Sequence, residues 1–170
     1  MRIGAIGYSA PKIHEFRAVA VRRQNGDFMS ENQAFAPVKD LENASSAALA
    51  EAIIALLLEK KGKNLTAYFV GEENAITDYY INITATSSTA VLAMADDVVD
   101  KMSMRGKHPH RVEGRSGASW VLVDFADVIV NVFDVQSREF YDLDRLLPAD
   151  RRMDIEPIRK MVDEKFKIDN

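Results

Sequence analysis

Two adjacent apolar runs, residues 120–125 and 128–133, constrain the fold more than any other feature. Only Ala126 and Asp127 separate them, and both runs are rich in β-branched and aromatic residues, so they predict an antiparallel β-hairpin. Neither run alternates cleanly between polar and apolar residues. Near-continuous apolar character indicates strands that are covered on both faces. We therefore predict that this hairpin lies centrally in a sheet with helices packed around it.

The segments around the hairpin alternate between helical and strand patterns. Apolar residues at helical spacing predict one helix from Ser46 to the Lys60 stop signal, and another that Thr86, Ser87 or Ser88 can cap. Four shorter segments complete the pattern: strands over residues 65–70, 79–84 and 111–113, and a short helix over residues 138–147. The order α-β-β-α-β-β-β-α predicts an α/β fold, a mixed β-sheet flanked by helices.

The chain divides into a central domain and two extensions. Residues 1–43 have no sustained period, and we interpret them as an N-terminal extension. An organelle presequence and a natural start at Met29 are both open for this segment. Residues 44–148 form the predicted domain. Residues 149–170 predict a C-terminal helical extension with Asp154 as its cap and Pro157 in its first turn, packed on the domain or on a second copy.

Composition excludes several classes of function. The chain has no cysteine, which rules out disulfides, thiolate metal sites and a cysteine nucleophile, and favours a reducing compartment such as the bacterial cytoplasm. Its longest apolar run, residues 52–58, is too short to span a membrane. A net charge of -4 argues against a mainly electrostatic grip on nucleic acid. A basic protein patch is a better match for such a partner.

The search for catalytic chemistry finds no site. His14, His108 and His110 have no carboxylate at a spacing that would complete a zinc site, so we interpret them as loop residues. Nucleophile-elbow and phosphate-loop motifs are missing from the sequence. Asp142 and Asp144 could hold Mg²⁺ on a strand, but two positions apart on a helix they point about 200° from each other. We predict no catalytic residue, no cofactor and no metal.

One group of residues on the hairpin has an unusual composition: Trp120, Asp124, Phe125, Asp127 and Asn131. An isolated tryptophan more often fills a core than contacts a partner, so burial of Trp120 is the simpler interpretation. Asn131 is harder to place, because its amide lies between two valines and costs about 1–3 kcal/mol if buried without hydrogen-bond partners. It could therefore face a binding partner.

Several motifs together resemble the ribosomal silencing factor family, also called the Iojap family. The two longest are WVLVDFADVIVNVF at residues 120–133 and SREFYDLDRL at residues 137–146. Shorter matches are ITDYY at residues 76–80, TATS at residues 84–87 and RVEG at residues 111–114. The motifs occur in the family's order and spacing across about residues 49–147, which makes the set far more specific than any one match.

The resemblance implies a nucleotidyltransferase-like α/β fold without the transferase's catalytic residues. It also implies binding to ribosomal protein fourteen of the large ribosomal subunit, at the face that meets the small subunit. A domain bound there would block subunit joining and repress translation when nutrients are limiting. Members of the family often form dimers in isolation, so a homodimer of the free protein is expected. No membrane and no sequence-specific nucleic acid is implied as a partner.

Carried over by position, the partner surface would centre on Trp120 and Phe125, with Asp124, Asp127 and Asn131 beside them. The aromatics would anchor the contact and the acids would meet basic side chains. Three departures from the family pattern concern local geometry: Asn131 replaces a usual His, Ala85 a usual Gly, and Leu147 a common Trp. Asn can still donate and accept hydrogen bonds, so the contact at Asn131 would lack pH sensitivity.

Two other functions remain as alternatives to a ribosome-binding factor. A Mg²⁺-dependent nucleotidyltransferase would be stabilised by a nucleotide with Mg²⁺. A generic RNA-binding domain would bind naked RNA with a steep dependence on salt concentration, which the acidic composition disfavours.

Overall fold

Five strands form one mixed sheet in the computed structural model, which describes residues 40–60, 62–71 and 76–168. The elements are α1 (Ser46–Glu59), β1 (Lys63–Phe69), β2 (Tyr79–Thr84), α2 (Ser88–Ser103), β3 (Arg111–Glu113), β4 (Trp120–Asp124), β5 (Val128–Phe133), α3 (Val135–Tyr141), α4 (Leu143–Leu146), a 3-10 turn (Ala149–Arg151) and α5 (Glu156–Ile168). The strand order is β1-β2-β5-β4-β3. Strands β2 and β5 pair in parallel and the other neighbours pair antiparallel, so the predicted hairpin and the α/β class are confirmed.

Helices α1 and α2 cover one face of the sheet and bury the main core. The side-chain oxygen of Ser45 caps α1 by accepting from the Ala48 N–H, and Ser87 caps α2 by accepting from the Ala90 N–H. Ser87 is one of the caps that the serine-rich turn predicts. Valines from β4 and β5 point into this core, since alternate residues of a strand lie on the same face. This face is called the helix face below.

The C-terminal helix α5 packs on α1. Ile158 and Val162 are buried in the same core, and Lys165 donates to the Glu59 carboxylate at 3.3 Å. Near the start of the described chain, Leu41 is also fully buried, and its N–H donates to the Arg105 carbonyl at 2.6 Å. The predicted division at residues 43 and 148 stays a prediction. Side chains from beyond both limits pack into the same core as the central segment. Met29 and His14 lie outside the described residues.

The two strands of the hairpin differ in their burial. All six residues of β5 are buried, as continuous apolar character predicts. In β4 only Val121 and Val123 are buried, while Trp120, Leu122 and Asp124 are partly exposed on the other side. The expectation that both faces of β4 are covered is therefore wrong. This second face of the sheet, opposite α1 and α2, is called the open face below.

The helix predicted over residues 138–147 is two short helices with a break at Asp142. Asp142 has φ 43° and ψ 50°, a left-handed conformation that ends α3 and that aspartate tolerates better than most residues. Neither α3 nor α4 contains a buried residue. The break turns Arg138 of α3 and Asp144 of α4 toward each other and toward the open face, which a continuous helix would not do.

Gly114, after β3, should be intolerant of a side chain. Its φ is +87°, and a Cβ added there would overlap the carbonyl oxygen of Trp120. We expect Gly114→Ala to lower the free energy of unfolding by about 1–3 kcal/mol, because the position combines a left-handed backbone with a backbone clash. Urea denaturation measures this change.

Gly117→Ala is the matched control, since a Cβ there would meet its nearest atom at 3.9 Å. It should change stability by less than about 0.5 kcal/mol. Equal effects of the two alanines would contradict the assigned backbone geometry beside Trp120.

Candidate partner-binding surface

The open face brings together three of the five residues singled out from the sequence. Trp120 and Asp124 lie at opposite ends of β4, about 13 Å apart at roughly 3.3 Å per residue. Asn131 lies between them on β5, directly opposite Leu122. Asp127 is exposed in the hairpin turn. Phe125 points the other way, so the five residues do not form one continuous patch.

Phe125 is a core residue. Its side chain is 1% exposed and lies in the hydrophobic cluster beneath α1 and α2. The reason is the period of the strand, because Val121, Val123 and Phe125 all project to the helix face. The expectation that Phe125 anchors a partner is therefore wrong for this fold.

Trp120 instead belongs to an aromatic group that reaches the surface. Its ring stacks on Phe133 with centroids 5.0 Å apart and lies 4.8 Å from the Tyr141 ring. Tyr141 in turn meets Phe140 edge-on at 5.0 Å. Trp120 is partly exposed, Tyr141 is 47% exposed and Phe140 is 82% exposed. We call Trp120, Phe140 and Tyr141 the aromatic surface.

Phe140 and Tyr141 are not among the site residues predicted from the sequence. Both fall inside a motif that resembles the silencing factor family, and their adjacency is a signal in itself. Two neighbouring aromatics on a helix point about 100° apart, so a narrow apolar face cannot bury both. Leu146, in α4, is another large apolar side chain that is 75% exposed.

Asn131 lies on the open face but is buried there, and it supports Trp120. Its side chain is 1% exposed. The Oδ1 atom accepts from the indole Nε1 of Trp120 at 3.0 Å, and the Nδ2 atom donates to Oδ1 of Asn82 at 3.0 Å. These two hydrogen bonds satisfy both polar atoms of the buried Asn131 amide. The expectation that Asn131 touches a partner directly is wrong, because its polar atoms are used within the fold.

The bonds of Asn131 continue into a larger polar network at the open face. Asn82 donates to Oδ1 of Asp144 at 3.3 Å, and the hydroxyls of Thr66 and Tyr68 donate to the same oxygen. Arg138 donates to Oδ2 of Asp144 through Nε at 2.8 Å and Nη2 at 2.7 Å. We call Asn82, Asn131, Arg138 and Asp144 the buried network.

Charge and burial fix the protonation states in this network. Burial alone would raise the pKa of Asp144, but hydrogen bonds from Thr66 and Arg138 and the positive charge of Arg138 outweigh it and lower the pKa below 3.8. Burial and the Asp144 carboxylate raise the pKa of Tyr68. Asp144 is therefore an ionised acceptor at neutral pH, and Tyr68 remains a hydroxyl donor.

The same contacts bear on metal binding. Asp142 is exposed at the helix break, whereas both oxygens of Asp144 accept hydrogen bonds from within the protein. Within the described ranges, no three His, Asp or Glu side chains converge as a metal site would require. His108 and His110 lie in the loop before β3.

Asp124 has a local role as well as an exposed position. Its side chain is 16% exposed and pairs with Arg111 at 3.3 Å. Its other oxygen accepts from the Ala126 N–H at 2.8 Å, which supports the hairpin turn. Asp127 offers the more accessible carboxylate of the two.

The described helices include none with the length and apolar content needed to cross a membrane.

Stability should depend on pH through Asp144. Its folded-state pKa is lower than the ordinary 3.8, so its stabilising contribution is complete above that value and is lost as the pH falls through the folded-state pKa. Between about pH 5 and about pH 3, we expect the unfolding free energy of the wild type to fall more steeply than that of Asp144→Asn. Urea denaturation over this range measures both slopes.

Asp142→Asn provides the control, because it removes an exposed carboxylate two residues away and outside the buried network. It should retain the wild-type slope. If Asp144→Asn retained that slope too, the assigned ionisation of Asp144 would be incorrect.

Known proteins resemble this chain in sequence and in fold. The profile of a family described as ribosomal silencing factor during starvation matches residues 43–170. A ribosomal silencing factor from Haemophilus influenzae is 34% identical over 99 residues, which cover 58% of this chain and 97% of that protein. One from Bacillus subtilis is 31% identical over 88 residues, covering 52% of this chain and 75% of that protein.

A crystal structure of a Chromobacterium violaceum protein superposes with a TM-score of 0.58 and 28% identity, covering 61% of this chain and 86% of that one. The likeness therefore extends to the arrangement of the sheet and its helices. With a family profile that spans most of the chain and a relative matched over 97% of its own length, the chain belongs to the ribosomal silencing factor family.

Proposed function

We propose that this protein represses translation by binding the large ribosomal subunit through ribosomal protein fourteen and blocking subunit joining during nutrient limitation. The activity is occupancy of a surface, and no reaction is catalysed. The site of action is the bacterial cytoplasm. The free protein forms a homodimer and neither enters a membrane nor reads a nucleic-acid sequence.

The observation that carries this proposal is the aromatic surface. A soluble domain rarely leaves a contiguous group of large apolar side chains exposed unless the group binds something. Phe140 is 82% exposed, so the fold buries little of its ring, and Tyr141 rests on Trp120 with about half of its surface open. Aromatics of this kind dominate the binding energy at the centres of protein interfaces.

Charge complementarity supports a basic protein as the partner. The chain carries a net charge of -4, and exposed Asp127 and Glu139 lie on the hairpin turn and beside Phe140 in the sequence. Asp124 contributes less, because Arg111 already pairs with it. Such acids steer a basic partner and fix its orientation more than they add affinity.

The contacts of Asp144 speak against the magnesium-dependent transferase. A carboxylate that binds Mg²⁺ needs a free oxygen. Here one oxygen of Asp144 accepts three hydrogen bonds, and the other accepts a hydrogen bond from Arg138. The neighbouring Asp142 has a left-handed backbone conformation and ends helix α3. No feature of the described residues favours the transferase over the binding function.

Alanine substitutions at the aromatic surface test the proposal. We expect Trp120→Ala and Tyr141→Ala each to weaken binding to purified large subunits by more than about 1 kcal/mol, roughly fivefold in the dissociation constant. Co-sedimentation with large subunits measures the change, and circular dichroism checks folding. Phe125→Ala should instead destabilise the protein by about 3–5 kcal/mol, because it removes a core side chain.

Phe166→Ala is the matched control for Tyr141→Ala. Both side chains are 47% exposed, but Phe166 lies on α5, which packs on the helix side of the sheet. It should leave subunit binding unchanged. Normal binding by folded Trp120→Ala and Tyr141→Ala variants would refute the assigned surface, and no binding by the wild type would refute the function.

A further inference from the structure

Helix α3 carries Phe140 and Tyr141, two of the three residues of the aromatic surface, yet apolar packing holds α3 and the following α4 only weakly. Neither helix contains a buried residue, and α3 meets the sheet mainly at β5. The ring contact between Tyr141 and Trp120 is itself part of the exposed group. Some other interaction must therefore fix these helices on the open face.

The polar side chains of Arg138 and Asp144 supply that interaction. Although its helix is exposed, the Arg138 side chain is only 10% exposed, and that of Asp144 is 25% exposed. Arg138 donates to the Thr84 hydroxyl at 3.3 Å and to the Asn64 carbonyl at 3.1 Å, in addition to its pair with Asp144. One side chain from each short helix thus reaches the sheet, and each binds more than one strand.

The network also has a fixed direction that ends at Trp120. The indole N–H can only donate, so Asn131 must present its oxygen to Trp120 and its amide nitrogen to Asn82. Asn82 must then accept with its oxygen and donate to Asp144, which as a carboxylate can only accept. Each amide orientation is dictated by its neighbour, from the carboxylate to the indole.

We propose that Asn82, Arg138 and Asp144 are positioning residues of the partner-binding surface. The ion pair holds α3 and α4 on the sheet and so places Phe140 and Tyr141. The same carboxylate, through Asn82 and Asn131, fixes the indole of Trp120 against Tyr141. The inference rests on the proposed function, because it assigns these residues to the preparation of a surface that binds the ribosome without touching the ribosome themselves.

The single tryptophan makes the positioning directly measurable. In ¹⁵N-labelled protein, one indole N–H resonance reports on the bond from Trp120 to Asn131. Asn82→Ala leaves the pair of Arg138 and Asp144 intact but removes the acceptor that orients Asn131. We expect the indole resonance to move upfield and to exchange faster with solvent, since a proton that leaves a hydrogen bond is less deshielded and less protected. Binding to large subunits should weaken several-fold.

Asp144→Asn is the second variant, and it should shift the same resonance and weaken binding by at least as much. If it fails to fold, Asn82→Ala alone decides the question. Asp142→Asn is the control for the resonance, which it should leave unchanged. An unchanged indole resonance in folded Asn82→Ala would overturn the inference, and so would a shifted resonance with wild-type binding.

These experiments distinguish a failure of the proposed function from a failure of the positioning role. If wild-type protein did not bind large subunits, the proposed function would fail, and the positioning role would fail with it even if the resonance shifted. If the wild type bound and Trp120→Ala abolished binding while Asn82→Ala did not weaken it, only the positioning role would fail.

Discussion

The pair formed by Arg138 and Asp144 is the interaction on which the open face depends. The helix face is secured by a large apolar core, but within the described ranges the helices on the open face are two short ones with no buried residue. Removing one partner of a buried ion pair typically costs about 3–5 kcal/mol because the other charge is left uncompensated. The cost should be lower here, since a quarter of the Asp144 side chain is exposed.

This arrangement places the stabilising core and the aromatic surface on different parts of the fold. The apolar side chains that stabilise the fold lie beneath α1, α2 and α5, whereas Phe140 and Tyr141 lie on α3, which has no buried residue. A binding surface built in this way can be changed without unfolding the domain. Polar anchoring also leaves the aromatic rings free to face outward, because the helices need not bury them to stay in place.

Much of the fold could be predicted from the sequence, since apolar periodicity and serine caps are local signals. The start of α1, the position of β2 and the hairpin all follow from such patterns. The break at Asp142 could not be predicted, because the left-handed residue is favoured by contacts of Arg138 and Asp144 with strands more than 50 residues away. The same contacts with strands that are distant in sequence hold the Asp144 carboxylate beside Arg138.

The candidate site was predicted only in part. The resemblance implies that Trp120 and Phe125 both anchor a partner, but only Trp120 lies on the partly exposed side of β4, because the alternation that exposes Trp120 directs Phe125 inward. For Asn131, the cost of a buried amide was a sound argument, and the partners proved to be Trp120 and Asn82. Sequence could not reveal them, because Asn82 lies on a neighbouring strand.

We propose that the aromatic surface is the part of the molecule that meets the ribosome. The most direct measurement is a cryo-electron microscopy structure of the protein bound to purified large ribosomal subunits. We expect Trp120, Phe140 and Tyr141 to be in van der Waals contact with ribosomal protein fourteen, and α5 to face away from that contact. A bound protein whose Trp120 and Tyr141 face solvent would contradict this proposal.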